Sequence, residues 1–267
     1  MNSASQDRSA SPSITLAAAQ SASVPGDVPR NVEHHLEFAH LAVEHGADLL
    51  IFPELSLTGY ELDLARELAR MPDSKEFAPL GRFAEASGMT IVAGAPLVAS
   101  SAGDLHLGAL IFRPDGAVLR YSKPHLHGGE DEGEARVFVP GVGGPVFEVG
   151  EAIVGLAICR DAKFPQHAQD AADRGANVYA VGALVDEADY PAKAAILAGH
   201  ARRHNMAVVL SNYAGQSGGW ISAGKSAIWS ERGECVAASG DTEEALVIAT
   251  RMLSGWEGDV LSMARVT

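Results

Sequence analysis

The chain has 267 residues, of which 47% are hydrophobic and 20% are charged, a composition typical of globular proteins rather than disordered ones. Its formal net charge of -14, without clusters of lysine and arginine, argues against nucleic acid as a partner. Two cysteines do not form a disulfide framework in a chain of this length, which favours a cytoplasmic location, and no apolar run approaches the roughly 18 to 20 residues that cross a membrane.

The first elements follow a polar amino terminus. Residues 1–12 are predicted to be a disordered tail, and residues 13–267 to form one domain. A strand is predicted at residues 14–19, and apolar residues at helical spacing between positions 32 and 43 predict a helix that ends at Gly46. The continuous apolar run at 47–52 is typical of a strand covered on both faces, and Glu54 follows it closely.

The middle of the chain alternates between helices and strands. Helices are predicted at residues 62–70 and 77–87, and strands at 90–93, 107–113, 117–121, 145–149 and 153–158. Pro114-Asp115-Gly116 indicates a hairpin turn, because proline fixes φ and glycine permits a positive φ. Lys123 lies just beyond the second strand of this hairpin. Cys159 ends the last strand of the series.

The last third predicts a long alanine-rich helix at 191–205, a strand at 207–211 and a hairpin with strands at 226–230 and 234–238. A helix followed by Gly-Ala-Asp or Gly-Ala-Asn and an apolar strand occurs twice, around residues 46 and 175, which suggests two similar halves. Alternating strands and helices predict an α/β fold of mixed sheets covered by helices. The pattern leaves open which strands pair.

Residues 219–226 match the phosphate-loop pattern G-x-x-x-x-G-K-S. Such a loop must open a helix whose amino terminus faces the phosphates. The segment downstream predicts a hairpin instead, so we interpret these residues as a glycine-rich loop that borders a site.

Two histidine pairs have spacings that resemble metal sites. His200 and His204 lie four residues apart on a predicted helix, but the intervening glutamate of a metalloprotease is missing, and we interpret the pair as part of a surface helix. His125 and His127 precede the acids at 130–132, which we interpret as a solvated loop. No metal site is therefore predicted. Cys235 is interpreted as a small buried hydrophobic residue in a strand, without a chemical role.

Glu54, Lys123 and Cys159 offer complementary chemistry at the ends of apolar strands. A thiol with an ordinary pKa near 8.5 is mostly protonated at neutral pH, so a catalytic cysteine needs a base or a cationic neighbour. Glu54 would remove the thiol proton, Cys159 would attack a carbon centre, and Lys123 would stabilise the charge that develops on the substrate.

Three segments resemble the nitrilase superfamily of carbon-nitrogen hydrolases: FPELSLTGYE around Glu54, YSKPHLH around Lys123 and GLAICRDAKFP around Cys159, in the family's order. The resemblance extends from residue 13 to about residue 255. It implies a four-layer α-β-β-α sandwich, a homodimer paired through helical faces, and a thioester mechanism without a metal or an organic cofactor. It also implies that Glu134 is a second glutamate that binds the lysine and positions the substrate; Glu130 and Glu132 are alternatives.

Four further residues are candidates for substrate binding. Tyr60, Phe164 and Trp220 are predicted as pocket walls, although ordinary core packing explains each aromatic equally well. Arg160 follows the cysteine where the family frequently has Tyr, Asn or Glu, and Gln166 stands where many members have Glu.

The sequence therefore predicts a hydrolase of non-peptide carbon-nitrogen bonds, first an amidase that releases ammonia from a small carboxamide. Alternatives within this class are a nitrilase, an N-carbamoyl amidohydrolase or transfer of the acyl group to an amine. An alternative of another class is a catalytically silent member that uses the pocket to bind a metabolite or a partner protein.

Overall fold

A computed structural model describes residues 13–99, 103–129, 132–240 and 242–263. The predicted tail at 1–12 lies outside the described residues, as do Glu130 and Asp131. The strands are β1 (Ile14–Gln20), β2 (Leu49–Ile51), β3 (Thr90–Val98), β4 (Leu105–Phe112), β5 (Val118–Ser122), β6 (Phe147–Val149), β7 (Ala152–Ile158), β8 (Val178–Ala183), β9 (Ala207–Asn212), β10 (Gln216–Ser217), β11 (Trp220–Ile221), β12 (Ala227–Trp229), β13 (Cys235–Ala238), β14 (Ala245–Met252) and β15 (Gly255–Ser262). The helices are α1 (Val28–Glu44), α2 (Ala65–Leu68), α3 (Ala78–Ser87), α4 (Pro165–Asp173) and α5 (Tyr190–His204), with 3-10 helices at Gly133–Arg136 and Cys159–Lys163.

Two large sheets are built around parallel strands. Seven strands pair in the order β15-β14-β1-β2-β3-β4-β5, and six pair in the order β13-β12-β9-β8-β7-β6. β1, β2 and β3 run parallel in the first sheet, as do β7, β8 and β9 in the second. Helices α1, α4 and α5 lie in the connections between parallel strands, which agrees with the two similar halves suggested by the sequence.

The side chains of single strands alternate between two hydrophobic cores. In β1, Leu16 and Ala18 belong to the core between the sheets, whereas Ala17 and Ala19 belong to the core that contains residues of α1 and α3. β7 and β9 alternate in the same way between the central core and a third core beneath α4 and α5. Since successive side chains of a strand point to opposite faces, each sheet is covered by helices outside and by the other sheet inside. This confirms the α-β-β-α sandwich.

Some elements differ from their predicted form. The helix predicted at 62–70 contracts to α2, because Ala69 is extended and Arg70 forms a bridge with Leu97 of β3. β14 and β15 were not predicted from the sequence pattern. β14 pairs antiparallel with β1, and β15 covers the edge of that sheet with mostly exposed residues, so it has no alternating apolar pattern.

His200 and Cys235 do not lie where the sequence predicts them. His200 is buried rather than exposed, and its Nε2 donates a 2.8 Å hydrogen bond to the carbonyl oxygen of Ala162. Cys235 is exposed rather than buried, since β13 is an edge strand whose register shifts against β12. In the ranges described above, no group of three histidine, cysteine or acidic side chains is arranged to hold a metal ion. None of the helices in these ranges is both long and apolar enough to cross a bilayer.

The loop that resembles a phosphate loop leads into a strand. Lys225 has a φ of +55°, and β12 begins two residues later. No helix therefore begins at the end of this loop, whose residues are all described.

Candidate active site

Glu54, Lys123 and Cys159 all lie just beyond the carboxyl ends of strands. Glu54 is three residues past β2, Lys123 directly follows β5, and Cys159 directly follows β7. β5 runs in the same direction as β3, because both pair antiparallel with β4. The carboxyl ends of β2 and β5 therefore meet at one end of the first sheet, and β7 brings the cysteine to them from the second sheet.

The loop that carries Glu54 is held between the two sheets by two glycines. A Cβ atom on Gly94 of β3 would overlap the backbone nitrogen of Leu55, and one on Gly182 of β8 would lie 2.7 Å from the carbonyl oxygen of Phe52. The backbone of Gly94 also accepts a 2.9 Å hydrogen bond from Leu57. Both sheets thus fix the backbone on either side of Glu54.

The ammonium group of Lys123 joins two carboxylates. Its Nζ donates hydrogen bonds of 2.5 Å to Glu54 Oε1 and 2.8 Å to Glu134 Oε1. All three side chains are buried. Burial opposes the charged form of the lysine, but Glu54 and then Glu134 outweigh it, so the pKa of Lys123 lies above its ordinary value. Lys123 is therefore cationic at neutral pH.

Glu134 reaches Lys123 from the 3-10 helix at Gly133–Arg136. The backbone N–H of Glu134 bonds to His127 O at 2.9 Å, which folds the preceding loop back on itself. Its carboxylate also accepts hydrogen bonds from the Tyr60 hydroxyl at 2.6 Å and from the His127 backbone N–H at 2.7 Å. Glu132, an alternative from the sequence, is exposed. Three donors thus satisfy the buried carboxylate of Glu134.

Burial of the site changes the protonation of Glu54 and Cys159. Desolvation raises the pKa of Glu54 to about 7, although Lys123 opposes this shift and Glu134 adds to it. Desolvation and the neighbouring Glu54 raise the pKa of the Cys159 thiol to about 11. At pH values just above neutral, a carboxylate thus faces a protonated thiol, which is the arrangement a general base needs.

Cys159 occupies an unusual backbone conformation. Its φ is +41°, which is uncommon for a residue other than glycine. Asp161 stabilises this turn by accepting hydrogen bonds from the backbone N–H groups of Ile158 at 3.0 Å and His125 at 3.1 Å. The buried ammonium of Lys193 donates a 2.8 Å hydrogen bond to the carbonyl oxygen of Cys159. Strained conformations of this kind cluster at functional sites, where the surrounding structure fixes them.

The thiol opens into a cavity of about 60 Å³. Its lining combines acids, cations and a few apolar groups: Glu54, Tyr60, His127, Glu134, Cys159, Arg160, Lys163, Leu184, Val185, Asp186, Asp189, Lys193 and Trp220. Lys123 lies directly behind this wall, against Glu54 and Glu134. Such a mixture suits a small polar substrate.

The structure brings three of the four predicted substrate-binding residues to this cavity. Tyr60 and Arg160 line it, and Trp220 forms part of its wall, 45% exposed and edge-on to His127. Phe164 is not among the lining residues. Phe164 is the extended residue that ends the 3-10 helix Cys159–Lys163, and its ring stacks on that of His125 with centroids 3.8 Å apart.

Sequence reasoning missed Asp161, Lys193 and the backbone role of His127. Asp161 gave a weak signal, since it lies two residues from the cysteine. Lys193 gave none, because it belongs to an alanine-rich helix 34 residues further along the chain. Only the packing of α5 beside the cysteine turn brings its ammonium to the site.

A family model described as carbon-nitrogen hydrolase matches residues 15–258. A nitrilase from Pyrococcus abyssi is 32% identical over 214 residues, 78% of each chain, and an N-carbamoylputrescine amidase from Solanum lycopersicum is 29% identical over 259 residues, 88% of this chain and 85% of the other. Among solved structures, a variant of an amidase from Nesterenkonia sp. superposes with a TM-score of 0.80 at 26% identity, covering 90% of this chain and 91% of that chain. In that structure, the acetamide moiety of fluoroacetamide is covalently bound to the active-site cysteine.

Proposed function

The chain belongs to the carbon-nitrogen hydrolase family, and we propose that it is an amidase that releases ammonia from a small carboxamide through a thioester on Cys159. The observation that carries this proposal is the double contact of Lys123 with Glu54 and Glu134 at the wall of the cavity that contains the thiol. The covalent cysteine adduct of the similar amidase supports the same chemistry.

In the first half of the reaction, Glu54 takes the proton of the Cys159 thiol as the sulfur attacks the amide carbon. The carbonyl electron pair moves to oxygen, where Lys123 and a backbone N–H beyond the cysteine stabilise the negative charge. Glu54 then gives its proton to the nitrogen, the carbon-nitrogen bond breaks, and ammonia leaves. The acyl group remains on sulfur as a thioester.

In the second half, water replaces ammonia. Glu54, again a carboxylate, takes a proton from the water as its oxygen attacks the thioester carbon. The carbon-sulfur bond then breaks, the sulfur regains a proton, and a carboxylic acid leaves. Glu134 keeps Lys123 oriented in both halves, and no step requires a metal or an organic cofactor.

The experiment is ammonia release by the purified protein across short amides, dicarboxylic acid monoamides, N-carbamoyl amino acids and nitriles. Cys159→Ala is the test variant, and Cys235→Ala is the matched control because Cys235 is exposed and lies outside the cavity lining. We expect amides to be hydrolysed by the wild type and by Cys235→Ala only. Intact-mass spectrometry of acid-quenched turnover should detect the acyl group on the protein.

Other results would identify the alternatives. Nitriles hydrolysed faster than amides would indicate a nitrilase, as the name of the Pyrococcus abyssi relative suggests, and carbon dioxide released with ammonia would indicate an N-carbamoyl substrate. Undiminished release by Cys159→Ala would contradict the thioester. No release from any compound, together with ligand binding in the cavity, would favour a silent binding protein.

We also propose a homodimer paired through helical faces, on the family resemblance alone. Light scattering coupled to size-exclusion chromatography tests it, and a mass of one chain at micromolar concentration would contradict it.

A further inference from the structure

The guanidinium group of Arg160 lies at the cavity and is unpaired among the residues that the structure describes. It is the only charged side chain of the lining with no ion-pair or hydrogen-bond partner within residues 13–99, 103–129, 132–240 and 242–263. Its guanidinium carbon lies over the ring of Phe164, 5.9 Å from the ring centroid. A face-on aromatic contact orients the guanidinium but leaves its N–H donors free.

The other cations of the wall already have partners. Lys163 Nζ lies 3.3 Å from Asp189 Oδ2, and Lys193 Nζ donates to the carbonyl oxygen of Cys159. Three acids of the wall pair with lysines: Glu54 and Glu134 with Lys123, and Asp189 with Lys163. Asp186 Oδ1 accepts a 2.8 Å hydrogen bond from the backbone N–H of Asp189. Among the described lining residues, Arg160 is therefore the cation whose N–H donors have no partner in the protein.

The position of Arg160 relates this cation to the reacting thiol. It directly follows Cys159, so the two Cα atoms are about 3.8 Å apart, and both side chains line the same cavity. A substrate whose amide carbon reaches the sulfur can thus extend a second polar group to the guanidinium over a short distance. The planar fork of arginine N–H donors matches a carboxylate, which accepts two parallel hydrogen bonds.

We propose that the preferred substrate is a short amide that also carries a free carboxylate, such as the monoamide of a small dicarboxylic acid, and that Arg160 binds this carboxylate. The inference rests on the proposed amidase function and narrows it. A substrate with an amine at the far end is disfavoured at this position, because its positive charge would lie beside the guanidinium of Arg160 and the two cations repel each other.

The experiment compares three amides of similar length: succinamate, which is anionic, butyramide, which is neutral, and 4-aminobutyramide, which is cationic. We expect wild-type kcat/KM to be at least about tenfold higher for succinamate than for butyramide, since a hydrogen bond to a charged group contributes at least that factor. In Arg160→Gln this ratio should fall towards one, mainly through KM. Arg160→Lys should restore part of it, and Arg160→Glu should shift the preference to 4-aminobutyramide.

Calorimetric binding to Cys159→Ala and to Cys159→Ala/Arg160→Gln separates this inference from the proposed chemistry. We expect succinamate to bind more tightly than butyramide to Cys159→Ala. The two amides should bind with equal affinity to Cys159→Ala/Arg160→Gln. Equal wild-type kcat/KM for the anionic and neutral amides, or a ratio that survives Arg160→Gln, would overturn the role of Arg160. Selective binding of succinamate without turnover of any amide would overturn the amidase function and leave the carboxylate site standing.

Discussion

Lys193 Nζ and the carbonyl oxygen of Cys159 are joined by a 2.8 Å hydrogen bond that links α5 to the start of the 3-10 helix Cys159–Lys163. The lysine is 2% exposed, and its charge lowers the pKa of the thiol, against the larger raising effects of burial and Glu54. Cys159 has a positive φ, a conformation that the surrounding structure must hold in place. The hydrogen bond from Lys193 holds the cysteine backbone and also places a positive charge near the sulfur.

We predict that Lys193→Met raises the pKa of the Cys159 thiol and lowers kcat, because it removes a cation without adding bulk. Each unit of increase in the pKa lowers the thiolate fraction at fixed pH by about tenfold. The measurement is the pH dependence of iodoacetamide alkylation, followed by mass spectrometry with Cys235 as the internal reference. Lys163→Met is the comparison, since Lys163 pairs with Asp189 instead of the cysteine turn, and we expect a smaller effect there. An alkylation profile unchanged by Lys193→Met would assign Lys193 a purely structural role.

The ionisation of Glu54 predicts the acid limb of the pH profile. A general base must be ionised in the free enzyme, and burial raises the pKa of Glu54 from 4.5 to about 7. We therefore expect kcat/KM to rise through pH 7 and to be nearly lost at pH 5, where the carboxyl is protonated.

Glu54→Gln provides the test of this assignment. It should lower kcat/KM by roughly 10² to 10⁴ and remove the inflection near pH 7. Glu132→Gln is the matched control, because Glu132 is an exposed acid near the site. An acid limb that stays near pH 7 in Glu54→Gln would mean that another group controls it.

The sequence revealed the parts of the site that lie directly beyond strands. Glu54, Lys123 and Cys159 each follow an apolar run, so strand prediction alone indicated that rigid elements present them. Glu134 could not be distinguished from Glu132 in this way, because their difference is created by the hydrogen bond that folds residue 134 back to His127. Lys193 and the outward position of Phe164 depend on how α5 and the cysteine turn pack, which no local pattern encodes.

Some strands of the fold could be predicted from the sequence and others could not. Continuous apolar strands such as β7 and β8 were predictable because both of their faces are covered. β15 was not, since it lies at the sheet edge with mostly exposed residues and its pairing with β14 depends on backbone hydrogen bonds. The order in which strands pair could not be predicted from the sequence either, because the main-chain hydrogen bonds that join strands are the same for every sequence.

Gly94 provides a test of how the Glu54 loop is held. We predict that Gly94→Ala lowers the free energy of unfolding by about 1–3 kcal/mol, because the new methyl group overlaps the backbone of Leu55. It should also lower kcat by displacing Glu54. Urea unfolding and ammonia release measure the two effects.

Gly81→Ala is the matched control for the glycine substitution. Gly81 lies within α3, and a Cβ there would meet only Phe112 Cδ1 at 3.7 Å, an ordinary contact. Since alanine favours helix, this variant should be more stable by about 0.5–1 kcal/mol. Equal stability of Gly94→Ala and the wild type would show that the loop can move away from β3 at little cost.

His35 connects the stability of the protein to pH. It is buried in α1, where its ring stacks on Phe52 and its nitrogens contact Asn31 O at 2.6 Å and Ser56 Oγ at 2.9 Å. Burial lowers the pKa of His35 from 6.5 to about 3. Below pH 6.5 the unfolded chain binds a proton on this histidine that the folded protein does not bind. The contribution of neutral His35 to the free energy of unfolding is therefore complete above pH 6.5 and is lost as the pH falls towards 3.

We predict that this single histidine costs the wild type about 2 kcal/mol of unfolding free energy between pH 6.5 and pH 4.5. His35→Gln keeps a donor and an acceptor but cannot titrate. Between pH 6.5 and pH 4.5 its free energy of unfolding should therefore fall by about 2 kcal/mol less than that of the wild type, whatever the stability of the variant at pH 8. His45→Gln, at the exposed end of the same helix, should retain the wild-type slope. Urea unfolding at half-unit pH steps measures the three curves. Parallel curves for wild type and His35→Gln would mean that His35 becomes protonated within the folded protein, with Ser56 and the Glu54 loop rearranging around the charge.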